Sequence, residues 1–384
     1  MRILFLDQSG HLGGAELCLL DIARPYGDSC RVALFSAGPF QQRLSAADIP
    51  VSVLAQQGIQ VRKEGGLTQG FSSLGQLVPL IRQVSSLARS YDLIYANTPK
   101  ALIVGAIASL LSHRPLVYHL HDIISPAHFS KTNRTLLITL ANRFAAQVIA
   151  NSAASQAAFI SAGGNPALCS VVYNGFQPDA YQIPTAESNQ LKAELGVENQ
   201  FLIGHFSRLS PWKGQHVLIE ALAHCPEDVT ALLVGDALFG EQDYVQQLHD
   251  QVERSGLRSR VKFLGFRTDI PQVMSACDLV VHSSTAPEPF GRVIVEAMLC
   301  GTPVIAAAAG GATELVDDGK TGWLCPPEQP QQLAKIILNC CHSPQRQQAM
   351  ARSAQTYARE KFDLDNVNQQ LGTLLSYQTN PDKH

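Results

Sequence analysis

The chain has 384 residues, a formal net charge of −3 and 16% charged residues, so it is too long for one ordinary core and too evenly charged to read as a nucleic-acid binder. Its nine cysteines are scattered, with no C-x-x-C and no metal-ligand spacing, and read as buried thiols of a reducing compartment. No apolar run approaches the roughly 20 residues of a bilayer crossing, and MRILFLD enters a strand pattern with no leader, which points to a cytoplasmic protein and leaves peripheral membrane contact open.

The first apolar run, RILFLD, is followed by Gly10, Gly13 and Gly14 and then by a helix expected near Ala15, a loop whose backbone amides can face a ligand. The spacing G-x-x-G-G is not a dinucleotide fingerprint. CRVALFS follows, then a glycine-bearing stretch from Gln56 to Gly75 that carries Arg62 and Lys63 and reads as a mobile loop. YDLIYAN leads into the helical KALIVGAIASLL, and LVYHLHD places His119, His121 and Asp122 at the carboxyl end of a strand. Alternation puts the two histidines on one side. His119 reads as a buried residue bonded to backbone, His121 as a ligand-facing one. Lys131, Arg134 and Arg143 then lie on a helix that is either simply solvated over the sheet or set against an anionic membrane. AQVIANS completes a series of strands separated by helices, the pattern of a parallel, doubly wound sheet.

A polar stretch at 174–190 broken by two prolines suits a linker, with a domain boundary near residue 185. A second α/β series follows: FLIGHFSRL, ALLVGD, VKFLGF, DLVVHSS and TPVIAAA. After the first of these, Arg208 and Lys213 flank a turn before a helix expected near Gly214, a placement that suits neutralisation of a diphosphate, although exposed cations in a loop are commonly just solvated. After DLVVHSS, the run EPFGRVIVEAMLCGTP predicts a helix from Phe290 or Gly291 to Gly301. Its first amides, from Phe290 through Val293, would face an anion or sugar hydroxyls, with Glu288 outside the helix and Glu296 more than a turn inside. Arg292 and Glu296 could equally be an i, i+4 ion pair, and Glu288 a helix-start carboxylate. One D-x-D, Asp363 to Asp365, opens the terminal helix, where Asp is an ordinary N-terminal residue.

Taken together, GGAE, HD, NGF, SRLSPWKG, GDALFGEQDY, FLGFRTDI and EPFGRVIVEAMLCGTPVIAAAAGGATELV cover nearly the whole chain and resemble the glycosyltransferases of the GT-B fold, family four, which are retaining and use nucleotide sugars. The resemblance implies two Rossmann-like doubly wound domains facing a central cleft: residues 1–185 for the acceptor, with a C-terminal helix of about 365–377 packing back on them, and 186–364 for the donor. It implies that Glu296 binds the donor ribose, and that Glu288 with the backbone of Phe290 and Gly291 binds the donor sugar. Arg208 and Lys213, with amides around Arg292 and Val293 and the Gly13–Gly14 loop, would hold the diphosphate. His121 would lie against the sugar, and the base near Gly265, Phe266 and Arg267. No metal and no cofactor is implied beyond the nucleotide-sugar co-substrate, since fixed cations can stabilise the departing diphosphate. UDP- and GDP-hexoses both fit, and the acceptor could be a glycan, a lipid-linked or a small molecule. A nucleotide-sugar epimerase and a catalytically silent binding subunit are the competing readings, and oligomeric state leaves no mark on the sequence.

Overall fold

A computed structural model describes residues 1–54, 67–238 and 240–379, with backbone alone for 67–76. Arg62 and Lys63 lie outside the described residues, and from Leu67 the expected loop is instead the helix Leu67–Ala88. The chain divides into two compact units, Met1–Gly175 with Leu364–His384, and Phe176–Asp363.

The first unit is built on a seven-stranded parallel sheet: β1 Ile3–Asp7, β2 Cys30–Leu34, β3 Val51–Val53, β4 Leu93–Ala96, β5 Leu116–Leu120, β6 Ala145–Ala150 and β7 Cys169–Val171. Their order is 3-2-1-4-5-6-7, so the winding reverses between β1 and β4. Apolar runs predict the five longer strands because both sheet faces are covered and every residue of β1, β4 and β5 is buried. The three-residue β3 and β7 are too short to register as runs. Helix Leu364–Gln378 belongs to this unit, and Val367, Leu371 and Leu375 join Phe5, Val32 and Tyr95 in its core.

The second unit carries β8 Phe201–Phe206, β9 Val229–Val234, β10 Val261–Gly265, β11 Leu279–His282, β12 Val304–Ala307 and β13 Trp323–Cys325 in the order 10-9-8-11-12-13. Both units are Rossmann-like, and the second reverses between β8 and β11. In an open α/β sheet the carboxyl ends beside such a reversal are where ligands bind. The stretch read as a linker is not open coil. It holds the turn Pro178–Tyr181 and the helix Thr185–Leu195, whose helix-forming interior ends at Gly196 in the left-handed region (φ 63°). All nine cysteines are free thiols, and no helix among the described residues is long and apolar enough to cross a membrane.

Candidate functional site

The carboxyl ends of β8 and β11 bring Lys213 and Glu288 together. Lys213 Nζ lies 2.8 and 3.0 Å from the two carboxylate oxygens of Glu288, above the Trp212 ring at 3.9 Å from its centroid. Glu288 Oε2 also receives hydrogen bonds from His282 Nε2 (3.0 Å) and the Ser284 hydroxyl (3.1 Å). Glu288, expected outside the helix, is therefore buried. Burial alone would raise its pKa, but the Lys213 ammonium and the His282 hydrogen bond outweigh it and hold the carboxyl well below the usual range. Three of its bonds fall on Oε2 and one on Oε1, so Oε1 retains room to accept from a hydroxyl.

The loop bearing Lys213 is braced from beneath. His205 Nε2 reaches the Lys213 carbonyl and the Ser283 hydroxyl, both at 3.2 Å. Gln215 donates to Ser207 Oγ (2.7 Å) and to the Arg208 carbonyl (2.9 Å). Burial and the neighbouring His282 push the His205 imidazole down to about 3, so it stays neutral at the pH of a cell. Gly214 permits the approach of this loop to β11: φ is 73°, and a Cβ there would stand 1.9 Å from the Ser283 carbonyl oxygen. Arg208 pairs with Glu241 (3.4 Å), which also accepts from Ser210 (2.6 Å).

The helix beginning at the site is Arg292–Leu299, with Gly291 before it at φ 101°. Ile294 through Leu299 are all buried and Val293 is half-buried, so the helix is enclosed on more than one face. Glu296 is buried too, and Arg292 faces it at 3.5 Å with both side chains about 11% exposed. The Arg292 guanidinium also lies 4.4 Å from the centroid of the Phe176 ring. The alternative of an i, i+4 ion pair is thus realised, but in a mostly enclosed position. Phe290 stacks on Phe176 (6.4 Å) and meets Phe362 edge-on (5.9 Å), so its ring anchors the loop and its backbone is what a ligand could use. At the end of β10, Gly265 has φ 64° with open space around it, Phe266 is 62% exposed, and Arg267 forms a two-pronged pair with Asp269.

In the first unit the reversal point gathers a second polar group. Asn97, just past β4, donates to Asp7 Oδ2 (2.7 Å) and to the Ala15 carbonyl (3.1 Å), and its Oδ1 faces His121 Nε2 at 2.9 Å. Two acceptors fix which way the amide points, so Nε2 of a neutral His121 carries the hydrogen and Nδ1 is the acceptor. His119 is buried beside it, with ring centroids 3.9 Å apart, and its Nδ1 meets the Tyr95 hydroxyl at 2.7 Å, a side-chain partner where backbone was expected. Cys18, His119 and His121 place ligand atoms within 4.8 Å of one another, a donor set of the type zinc accepts, and each already has a protein hydrogen-bond partner.

Gly13 caps the helix Gly14–Ala23, and Glu16, three residues on, turns its carboxylate back to the Gly13 amide, half of a capping box. An acid of the chain itself therefore sits at the glycine loop. Burial and the neighbouring Asp7 push Glu16 up to about 8, and burial raises Asp7 to about 6. A raised native carboxyl stabilises the fold below the unfolded value near 4.5 and loses that contribution as pH rises through about 8. Stability should accordingly fall as pH rises from about 5 to about 8. Glu16→Gln should flatten the slope, as urea titrations at several pH values would measure, and an unchanged slope would remove Glu16 as its source.

Sequence reading missed His282, Ser284, His205, Asn97, Asp7 and Glu16 as site residues. Only Glu16 left a signal, as the acid of GGAE.

Comparison with known proteins adds the family. Residues 12–180 match the model for glycosyltransferase family 4, and residues 187–357 the model for glycosyl transferases group 1. The Anabaena protein HepE, in a crystal structure with UDP-glucose, is 58% identical over 98% of this chain and 100% of its own, with a TM-score of 0.92. This chain belongs to glycosyltransferase family 4, with the GT-B fold. The family 4 chain is also 27% identical, over 94% of its length and 80% of the relative's, to the D-inositol 3-phosphate glycosyltransferase of Salinispora tropica. It is 30% identical to spore coat protein SA of Bacillus subtilis over 54% of its own length, and spans 58% of that protein.

Proposed function

We propose that the protein is a retaining hexosyltransferase that takes glucose from UDP-glucose without a metal ion. The observation that carries this reading is the enclosed Lys213–Glu288 pair at the reversal point of the second sheet, beside the helix start at Gly291. The donor assignment is supported by HepE, whose crystal structures hold UDP, UDP with glucose, and UDP-glucose. In this reading Oε1 of Glu288 accepts from a sugar hydroxyl, and the backbone of Phe290 and Gly291 holds a second. Lys213 and Arg208 face the diphosphate, with amides around Arg292 and Val293 and those of Gly13 and Gly14. Glu296 binds the ribose, and the base rests along Gly265 to Arg267, where exposed Phe266 offers a stacking surface.

Cleavage of the anomeric bond leaves negative charge on the departing diphosphate, so the cations lower the barrier most where charge is greatest. Glu288 is a positioning group in this scheme. A carboxylate engaged by an ammonium, an imidazole and a hydroxyl is a poor nucleophile, and the departing phosphate takes the acceptor's proton on the face from which the acceptor attacks. His121, its tautomer set by Asn97, lies against the sugar. The acceptor is a glycan, lipid-linked or small molecule bound by the first unit.

Titration calorimetry with UDP-glucose and GDP-glucose, followed by NMR of the transferred sugar in the presence of EDTA, tests the reading. Binding of UDP-glucose with retained α configuration is expected. An inverted product, a dependence on added metal, or absence of UDP release would each refute the corresponding part, and the last would favour a silent binding subunit.

A further inference from the structure

Three helices of the first unit lie side by side, Leu67–Ala88, Pro99–Ser112 and Lys131–Phe144, with the middle one touching both others. The middle helix carries no charged residue after Lys100, and its outer side is aliphatic. Leu110 is 61% exposed, Leu111 50% and Ile107 40%. Val78 and Leu136, on the flanking helices, are also exposed. These five account for most of the nine exposed large hydrophobic residues among the described residues, so the exposure is concentrated on one layer.

Charge is concentrated in the same place. None of the three helices contains an aspartate or glutamate, and from residue 65 to 178 the chain has seven Lys and Arg against only Asp92 and Asp122, within a protein whose net charge is −3. Asp92 is paired with Arg2. Arg82 and Arg89 line an open pocket of about 190 Å³ together with Ser85, Ser86 and Leu111, which joins the cationic rim directly to the apolar centre. Arg114 donates to the Arg89 carbonyl at 3.1 Å and extends the rim.

We infer that this face docks on an anionic bilayer, with Ile107, Leu110 and Leu111 entering the acyl boundary and Arg82 and Arg89 taking a lipid phosphate. An apolar centre with a basic rim and no acid is what an interfacial surface needs. A second copy of the chain fits it less well, because a two-fold contact would set two cationic rims against each other. The position also differs from the one the sequence offered as an alternative to simple solvation, the helix bearing Lys131, Arg134 and Arg143. The centre of the face is the preceding helix, whose apolar residues are indistinguishable in sequence from core.

Flotation of the full-length protein with vesicles tests the inference independently of any transferase activity. Binding is expected to vesicles of phosphatidylcholine with phosphatidylglycerol at low salt, and not to phosphatidylcholine alone. Leu110→Asp with Leu111→Asp, and separately Arg82→Glu with Arg89→Glu, should each reduce the bound fraction roughly tenfold or more, with unchanged far-UV circular dichroism as the folding check. Equal binding by the variants would overturn the assignment. So would light scattering that shows a dimer without vesicle binding, converted to monomer by the Leu110 and Leu111 changes, since the face would then belong to a second copy.

Discussion

Glu288→Gln is expected to lower kcat/KM for sugar transfer by about 10²–10³-fold, the range seen when one preorganised polar contact of a transition state is removed. The substitution keeps the shape of the side chain and removes its charge. An amide offers one acceptor oxygen, whereas Glu288 accepts from Lys213, His282 and Ser284 at once. Whichever way the amide is turned, an N–H faces another donor. Lys213 then loses the carboxylate that fixes its ammonium, so the change also disturbs the group assigned to the diphosphate. Lys213→Ala should act mainly on kcat, because diphosphate charge grows as the anomeric bond breaks, while Glu288→Gln should raise KM for the donor as well. A UDP-release assay over a range of donor concentrations separates the two effects. Full activity in Glu288→Gln would remove Glu288 from the sugar site. Sign matters for stability too. The native Glu288 pKa is depressed, so the pair stabilises the fold above the usual carboxylate range and that contribution is lost as pH falls. Lys213→Ala should show a weaker acid-side loss.

Much of this arrangement is legible in the sequence, and the boundary of what is legible has a physical cause. The long strands are apolar runs because both faces of each sheet are covered, and the glycines, cations and acids at their carboxyl ends stand out against those runs. Gly291, Glu288 and Glu296 are therefore visible from one local stretch. The burial of Glu288 is not, since it depends on Lys213, 75 residues earlier, arriving through the pairing of β8 with β11. His282 is hidden for a related reason: it ends the apolar run LVVH and reads as part of a strand. Asp7 and Asn97 meet across 90 residues because the winding reverses between β1 and β4, and a reversal is a property of strand order that no local pattern records. The surface of helix Pro99–Ser112 is the converse case. Its exposed leucines are as apolar as its buried face, so periodicity gives no sign of which side meets solvent.

Gly310→Ala should be more damaging than a change to most side chains at the site. Gly310 has φ 65°, and a Cβ added to it would lie 2.3 Å from the Glu288 carbonyl oxygen, 2.7 Å from its amide nitrogen and 3.0 Å from the Pro287 carbonyl carbon. All three atoms are backbone, so no rotamer change relieves the contact. The segment from Pro287 to Phe290 would have to move away from the strand-like bridge it forms with Gly310 and from the Gly311 amide, which donates to the Glu288 carbonyl at 2.7 Å. Movement of that segment takes Glu288 away from Lys213. A loss of about 2–4 kcal/mol in unfolding free energy is expected, with donor binding falling alongside it. Gly319→Ala separates crowding from backbone conformation. Gly319 also has positive φ, 76°, but nothing lies within 4 Å of its added Cβ, so only the conformational cost of about 1 kcal/mol should appear. Urea unfolding of both variants with calorimetric titration of UDP-glucose makes the comparison. Equal losses in the two would mean that backbone conformation alone is responsible. A larger loss in Gly310→Ala, joined to weaker donor binding, would place the origin of Glu288's position in the close approach of two backbones that only glycine allows.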